Sequence, residues 1–366
     1  PIQIYLILIL ERKLQLLHII IRLIRSWAPL VWLAPGEQFL PLGVPEFLSN
    51  VETVDDGDYF STRLDVERLL QNKSSFIYGR KPWMDVVPVY ALVENCALAY
   101  KTKLTDEEST KTKTIKKHGE EINDVDFPVK IPDRQLEEIL IYEEKRTRVP
   151  HFHVTYWMFY PFSEGKTICV LDLGYLGSWP IPLVGGRCFG NFKEYGSHVG
   201  DWEHMSLFFK GNDHPLAMYV SAHDAGAFYR YDKTDKTFVY EDQETRKGIF
   251  QKPIFPDRVY TAGGSHPVLF SAKGSHGLWT APGKHKFVRL PRLYDESGFG
   301  SPWPTWRKVE MLPREKQEAL PSWMSFKGKW GNPKTNCHPL AKLGINFCQF
   351  VDGPTGIPLK KFNFHC

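Results

Sequence analysis

Apolar residues recur along most of this chain in short, aromatic-rich runs that Gly and Pro interrupt. Such runs occupy residues 84–92 (MDVVPVYAL), 151–162 (HFHVTYWMFYPF), 202–210 (WEHMSLFFK), 216–223 (LAMYVSAH) and 267–276 (PVLFSAKGSH). Runs of this length between turn residues are typical of β-strands, and their spacing suits antiparallel pairing. The chain shows neither a regular alternation of strands and helices nor a repeat of fixed period. The pattern therefore predicts a mainly β protein, an antiparallel β-sandwich with long loops and a few peripheral helices.

The beginning of the chain follows a different pattern. Its longest purely apolar run, residues 4–10, is much shorter than the ~20 residues that a membrane span needs. We therefore expect no transmembrane span. Residues 14–24 have apolar positions at helical spacing and predict an amphipathic helix. The apolar side of that helix comprises Leu16, Ile20, Leu23 and Ile24. Three interpretations of residues 1–26 stay open: the tail of a signal segment, a surface helix, or an artefact of the gene model.

The domain organisation is expected to be simple. Residues 27–366 predict one domain, with the β-sandwich core at about 151–290. The segment 101–126 is charged, Thr-rich and without apolar periodicity, which indicates a mobile surface loop. Residues 326–366 form a Cys-containing C-terminal segment. Between Trp27 and Leu48, a helix is expected only at about Pro45–Leu48, because Pro is favourable at a helix start.

Net charge and cysteine content narrow the class of protein. The formal net charge is only +4, which is too weak to favour a nucleic-acid partner, so none is expected. None of the six cysteines belongs to a C-x-x-C pair, which disfavours zinc-ribbon and thioredoxin-type sites. The oligomeric state stays open.

Disulfide bonds are expected in two places. Cys169 and Cys188 flank a Gly-rich loop, and Cys337, Cys348 and Cys366 crowd a C-terminal segment with little apolar patterning to stabilise it. Disulfides there favour an oxidising location, in the secretory pathway, the vacuole or lysosome, or outside the cell, over the cytoplasm. Free thiols in a cytosolic protein are the alternative.

The stretch GSHVGDWEH, residues 196–204, concentrates ligand-type side chains. On a strand, Asp201 and Glu203 point to one face, and Trp202 and His204 point to the other. His198 precedes Asp201 by three residues across a glycine, so a loop can bring its imidazole to the carboxylates. One imidazole and two carboxylates suit a divalent cation such as Mg²⁺, Ca²⁺ or Mn²⁺ better than a structural zinc. These three residues are therefore the candidate metal ligands.

Other polar residues lie at the ends of neighbouring predicted strands. His223 ends YVSAH and precedes Asp224, and His276 ends FSAKGSH. If these strands are neighbours, these residues reach the same rim as His198 and become candidate ligand-binding or supporting groups, together with His204 and Trp202. The alternative is structural, because Asp and His at strand ends often cap turns, and buried Glu can be purely hydrogen-bonding. The motifs of serine hydrolases, zincins, P-loop proteins and Rossmann enzymes are absent.

Several of these motifs resemble one known family. The chain resembles the vacuolar protein sorting-associated protein 62 family, including plant relatives of unknown function. The matching segments are FYPF at 159–162, GSHVGDWEH at 196–204, YVSAH at 219–223, VLFSAKGSHG at 268–277, WLAPGEQFLP at 32–41, FKGKWGNPK at 326–334 and DGPTG at 352–356. The resemblance covers most of the chain from Trp27 onward and leaves residues 1–26 and the charged segment outside. The family name implies a role in delivery to the vacuole or lysosome.

A more distant resemblance is to the necrosis- and ethylene-inducing-like proteins, secreted β-sandwich cytolysins with a metal-binding His-x-His-Asp-Trp-Glu motif. The residues that correspond to their metal ligands are His198, Asp201 and Glu203, and Gly200 stands where those proteins have the second His. That resemblance implies a β-sandwich with an acidic, cation-binding rim.

Three functions are compatible with these features. The first is a binding module in which the cation bridges to the headgroup of a membrane lipid or glycan. The second is a metal-dependent hydrolase in which Asp201 and Glu203 hold the ion and His223 or His276 acts as general base. The third is a purely structural cluster. The depth of the site distinguishes the first two, because catalysis favours a water-excluding pocket; whether the protein is an enzyme stays open.

Overall fold

Strands dominate the computed structural model. It describes residues 2–96, 151–245, 253–288, 293–314, 320–341, 347–361 and 364–366. The predicted surface loop 101–126 lies outside the described residues, and the single-domain organisation stays a prediction.

Helices are few and strands are many in the described residues. The helices are α1 Ile2–Ser26, α2 Val44–Leu48 and α3 Val66–Gln71. The strands are β1 Leu30–Leu33, β2 Val51–Val54, β3 Tyr59–Thr62, β4 Val89–Asn95, β5 His151–Ser163, β6 Lys166–Asp172, β7 Ser178–Pro180, β8 Asn191–Tyr195, β9 His198–Lys210, β10 Ala217–Ala222, β11 Ala225–Asp232, β12 Thr237–Thr245, β13 Arg258–Val259, β14 Thr261–Ala262, β15 His266–Ser271, β16 Leu278–Trp279, β17 Gly283–Val288, β18 Leu293–Ser297, β19 Ser301–Pro304, β20 Val309–Pro313, β21 Thr335–Cys337 and β22 Cys348–Phe350.

The largest sheet has eight strands in the order β13-β12-β11-β10-β9-β5-β4-β20. Its pairs are antiparallel except for the parallel pair of β4 and β20. The two longest strands, β5 and β9, are neighbours at its centre and carry the motif. Strands were predicted at all four aromatic-rich runs of residues 151–276, and all four are present. The run 267–276 differs, because β15 ends at Ser271 and the rest forms a turn.

A second sheet, with five strands, packs against the first. Its strands have the order β14-β15-β1-β19, with β16 paired to β15, and β1 runs parallel to β15. Tyr156 and Leu207 of the large sheet share one apolar core with Val31 and Leu269 of the second. Two sheets that face each other across a core make a β-sandwich, which confirms the predicted fold class. The sandwich also includes β1, β4, β19 and β20, which lie outside residues 151–290.

The opposite face of the large sheet is covered as well. Trp157 and Trp202 belong to a second apolar core that Phe47 of α2, Leu69 of α3 and Trp330 complete. Because both faces of the sheet are buried, β5 is apolar along nearly its whole length rather than alternating. The α2 helix matches the one predicted at Pro45–Leu48.

The amphipathic helix predicted at residues 14–24 is part of the longer α1. Its residues Ile20, Leu23 and Ile24 are buried in the sandwich core, and the Tyr156 hydroxyl donates to the Ile24 carbonyl oxygen at 2.7 Å. Among the described residues, no helix combines the length and apolarity that crossing a membrane requires.

Three disulfide bonds join the six cysteines. The pairs are Cys169–Cys188, Cys337–Cys348 and Cys96–Cys366. The structure thus confirms disulfides at all five predicted cysteines. It also pairs Cys366 with Cys96, a residue outside the predicted set. Three disulfides indicate an oxidising, non-cytosolic location.

Candidate functional site

The motif lies on β9 beside an opening in the large sheet. Strand β9 pairs with β5 from Lys210 to His198, but it pairs with β10 only from Phe208 to Met205. Beyond Met205, β10 leaves β9 and continues to pair with β11. The separation leaves a cleft of about 480 Å³, which is within the range of small-molecule sites.

Seven of the eight predicted metal or ligand-binding residues line this cleft. They are His198, Asp201, Trp202, Glu203, His204, His223 and Asp224. The eighth, His276, contacts Asp201 from inside the sandwich. The cleft also contains two lysines that sequence reasoning missed, Lys166 and Lys360. Acidic, basic and imidazole side chains therefore meet at one end of the sandwich.

Gly200 sets the direction of the side chains around it. Its φ is +67°, and a Cβ there would overlap the carbonyl oxygen of Trp330, so this position requires glycine. The left-handed residue interrupts strand alternation, and Val199 joins the same core as Trp202. His198 is left facing the cleft with Asp201.

The His198 ring is oriented by its own backbone. Its Nδ1 lies 2.7 Å from the carbonyl oxygen of Gly200. A neutral ring that donates from Nδ1 keeps the lone pair on Nε2, which is the arrangement typical of metal-bound histidines. The geometry therefore prepares His198 as a ligand through Nε2.

One carboxylate oxygen of Asp201 contacts a histidine inside the sandwich. Its Oδ2 lies 3.1 Å from Nδ1 of His276, a fully buried ring that stacks on Tyr160 with centroids 3.9 Å apart. The other ring nitrogen of His276 lies 2.9 Å from the carbonyl oxygen of Phe39. Glu37 stands behind, with its carboxylate accepting from three backbone N–H groups.

Burial and direct contact shift the pKa values of Asp201 and His276. Burial alone would raise the pKa of Asp201, but the hydrogen bond from His276 and the charge of His198 hold that pKa below its usual range. Burial alone would lower the pKa of His276, but its bond to Asp201 and the charge of Glu37 raise the pKa instead. Both ring nitrogens of His276 face acceptor oxygens, of Asp201 and Phe39, so the ring donates from both as an imidazolium and has no basic atom to offer a substrate.

A second buried carboxylate anchors the other wall of the cleft. Asp295 is fully buried, and its Oδ2 accepts from Nε2 of His223 at 2.6 Å and from Nε1 of Trp279 at 3.0 Å. Its Oδ1 accepts from Lys166 at 2.9 Å and from Ser275 at 2.7 Å. Burial would raise the pKa of Asp295, but the charge and hydrogen bond of His223 and the charge of Lys166 lower it well below its usual range. Asp295 is therefore an anion that orients the His223 ring.

The two aromatic members of the motif face the second core. Trp202 packs against Phe159 and Trp330, with ring centroids 4.8 and 5.1 Å apart. His204 stacks on Trp157 with centroids 4.4 Å apart. Their side chains support β9 from behind, while Glu203, which is buried with 6% of its surface exposed, lies on the face of Asp201.

The candidate metal ligands line one wall without converging. Within the part of the chain that the structure describes, the one group that brings three His, Cys, Asp or Glu ligand atoms within 4.8 Å of one another comprises Cys96, His153 and Cys366. His198, Asp201 and Glu203 therefore supply separate ligand atoms along the cleft. A cation held there needs further ligands from water or from a bound molecule.

The sequence did not point to Glu37, Asp295 or Lys166, which contact the candidate residues or line the cleft. Glu37 lies within the family-like segment WLAPGEQFLP, where it attracted no chemical prediction. Asp295 and Lys166 lie on β18 and β6, in sequences without a recognisable motif. A lone acidic residue in a short strand carries no signal until the strand that faces it is known.

Comparisons with known proteins find two similar yeast proteins. The chain is 28% identical over 224 residues to putative vacuolar protein sorting-associated protein TDA6 of Saccharomyces cerevisiae, a match that covers 57% of this chain and 41% of that protein. It is 27% identical over 226 residues to vacuolar protein sorting-associated protein 62 of the same yeast, covering 56% of this chain and 40% of that protein. The matched segments thus span about two fifths of these relatives' own lengths. No protein-family model matches the chain, and no solved structure matches it either. By these similarities, the chain resembles the vacuolar protein sorting-associated protein 62 family, which confirms the resemblance that its motifs indicated.

Proposed function

We propose that this protein binds the anionic headgroup of a membrane lipid in the cleft between β9 and β10, with a divalent cation bridging the two. The observation that carries the proposal is the cleft itself, whose lining combines His198, Asp201 and Glu203 with Lys166 and Lys360. Lysines attract a phosphate or carboxylate group, and the carboxylates attract a cation. The names of the yeast relatives, both vacuolar protein sorting-associated, fit a module that acts at membranes of that route.

The incomplete set of protein ligands favours a bridging cation. Because the three candidate ligands do not converge, the headgroup oxygens would complete the coordination shell. Mg²⁺, Ca²⁺ and Mn²⁺ suit these oxygen-rich ligands better than Zn²⁺. Cation and lipid then bind with positive coupling, each raising the affinity for the other.

An exposed apolar surface next to the cleft favours a lipid over a soluble glycan. The three-stranded sheet β7-β6-β8 begins at Lys166 and ends at Tyr195, and both residues line the cleft. Between them, large apolar side chains are exposed to solvent, and we call this set the apolar surface: Leu171, Leu173, Tyr175, Leu176, Leu183, Val184, Phe189 and Phe192. Exposed aromatic and aliphatic groups of this kind insert into the interfacial region of a bilayer.

Vesicle sedimentation tests the proposal. Wild-type protein is mixed with phosphatidylcholine vesicles, with or without phosphatidylserine or phosphoinositide, in EDTA or in Mg²⁺, Ca²⁺, Mn²⁺ or Zn²⁺. We expect binding that needs both an anionic lipid and a cation. Glu203→Gln removes a ligand charge and should abolish the cation dependence, whereas Glu52→Gln, at an exposed position, should not. Glu203 is the better target than Asp201, since Asp201 also pairs with the buried His276.

The apolar surface receives its own variant. Phe189→Ser should weaken vesicle binding, and Ile254→Ser, an equally exposed position elsewhere, should not. Cation-independent binding would contradict the bridging ion. Binding to immobilised glycans but not to vesicles would replace the lipid by a glycan, and binding to neither would end the proposal.

A second candidate function has one specific observation in its favour. Asp295 pairs with Nε2 of His223, which leaves Nδ1 as the ring nitrogen that can exchange a proton at the edge of the cleft. A carboxylate–imidazole pair beside cation ligands is the arrangement of a metal-assisted hydrolase. Hydrolysis of phosphodiester and ester substrates in each cation, in wild type and His223→Asn, tests it. A hydrolase should lose about 10²–10⁴-fold in rate in the variant, and an inactive wild type would leave only binding.

A further inference from the structure

A second group of ligand-type side chains lies at the opposite end of the large sheet. His153 of β5 is opposite Glu94 of β4 and opposite Phe208 of β9, ten residues along β9 from His198. That separation corresponds to about 30 Å along a strand. The site at His153 is therefore separate from the cleft.

Three potential ligands converge there. Sγ of Cys96, Sγ of Cys366 and a ring nitrogen of His153 all lie within 4.8 Å of one another. A tetrahedral zinc with Zn–S bonds of about 2.3 Å holds two sulfurs about 3.8 Å apart, so the ligands need to move by only about an ångström or two. The Cα atoms of the two cysteines are 4.9 Å apart, His153 lies on β5, and Cys96 directly follows the end of β4.

The histidine shows an independent sign of a missing partner. His153 is 3% exposed, and its Nε2 is buried without a hydrogen bond, although Oε2 of Glu94 lies 3.4 Å away. A buried ring nitrogen without a hydrogen bond is rare in native proteins and needs an explanation. Because Oε2 of Glu94 lies beside that same Nε2, Glu94 is the candidate fourth ligand of a metal bound there.

We infer that Cys96, Cys366 and His153 form a zinc site that exists only when the Cys96–Cys366 disulfide is reduced. In the oxidised chain, the two sulfurs bond to each other and cannot be thiolates. Reduction by a thiol pair transfers two electrons and two protons to the sulfurs and leaves the reductant as its own disulfide. Zinc then binds the two sulfurs and the imidazole and releases the two thiol protons. The same pair of cysteines thus joins the chain by a covalent bond in an oxidising compartment and by a metal in a reducing one.

The exposure of Cys366 permits reduction of this pair. Cys366 is partly exposed, so a reductant can reach its sulfur, whereas Cys96 is fully buried. In the described residues, the other two disulfides have no such convergence of a third ligand. They therefore serve as internal controls.

Cobalt substitution tests the inference on the full chain. A phosphine reductant is used, because it does not compete for the metal; it takes the oxygen of water as its oxide, and the two sulfurs take the hydrogens. We expect one Co²⁺ per chain with thiolate-to-cobalt absorption after reduction, displaced by Zn²⁺, and none before reduction. Cys96→Ser and Cys366→Ser should abolish the absorption, and Cys337→Ser should retain it. His153→Gln should weaken binding at least about tenfold.

The outcomes that overturn the inference are distinct. Reduced wild type without the absorption would exclude the site, and so would absorption that persists in Cys96→Ser and Cys366→Ser. Circular dichroism of each sample separates loss of ligand from loss of fold. If reduction unfolds the chain and zinc does not restore the signal, the three side chains do not form a site.

Discussion

The buried pair of Asp201 and His276 gives the sharpest test of how the motif is held. We consider His276→Asn, because His276 has φ +57° and Asn tolerates that left-handed conformation. The substitution removes the imidazolium and leaves Asp201, which is 7% exposed, as a buried carboxylate without its partner. Breaking a buried ion pair in this way destabilises by about 3–5 kcal/mol. This figure includes the loss of the stacking contact between His276 and Tyr160.

A double-mutant cycle isolates the pair from other effects. Asp201→Asn alone leaves a buried imidazolium that still has Glu37 within 4.0 Å, so it should be less damaging than His276→Asn. The double variant removes both charges, so its loss should be smaller than the sum of the single losses by about 1–3 kcal/mol. Urea unfolding followed by tryptophan fluorescence measures each variant, and His266→Asn, which removes a ring bonded to the backbone oxygen of Ala28, is the matched control. Single losses that add within about 0.5 kcal/mol would refute the ion-pair argument.

Three further predictions concern stability. Protonated His276 should contribute its full share of the free energy of unfolding below its unfolded-state pKa of about 6.5, and this share should be lost as the pH rises through its raised folded-state pKa. Urea midpoints measured from pH 6 to 9 should therefore fall in the wild type, and they should fall less in His276→Asn. Gly200→Ala should prevent folding or destabilise strongly, because its Cβ overlaps a backbone carbonyl oxygen. Gly196→Ala is the control: Gly196 has φ +89° and open space around it, so the same unfolding assay should show a loss of only about 1–2 kcal/mol. Cys96→Ser opens a loop with a sequence separation of 270, whereas Cys348→Ser opens one with a separation of 11. Chain entropy therefore predicts that Cys96→Ser loses about 3 kcal/mol more stability than Cys348→Ser. Equal losses in the two variants would show that loop length does not determine the loss.

Most of the fold followed from local patterns. Short aromatic runs between turn residues were sufficient to predict the sandwich, because strands of this kind need little more than burial to form. The parallel pairing of β1 with β15 had no local signal, since a four-residue strand near the start of the chain gains its neighbour from residues 268–271. Cys96 was missed as a disulfide partner for the same reason, as its partner lies 270 residues away.

The candidate site was predictable only along β9. Strand alternation placed Asp201 and Glu203 on one face, and His198 reaches their side through the left-handed Gly200 within β9 rather than through the expected loop. What could not be predicted is which partner each side chain has. His276 was expected at the rim, yet it lies inside the sandwich and uses both nitrogens to hold Asp201 and Phe39. The partner of each side chain depends on contacts between elements that are distant in sequence, and these contacts cannot be predicted from one sequence alone.

The position of β1 also has a consequence for the order in which the protein folds during synthesis. Strand β1 lies between β15 and β19, so Leu33 finds its last neighbour, Ser301, about 270 residues later. At a synthesis rate of roughly 5–20 residues per second, this edge of β1 stays unpaired for on the order of 13–54 seconds. An oxidising folding compartment adds disulfide exchange during that interval. Strand β1 is thus the element that waits longest for its second neighbour during synthesis, although Val31 and Leu33 are fully buried in the finished fold.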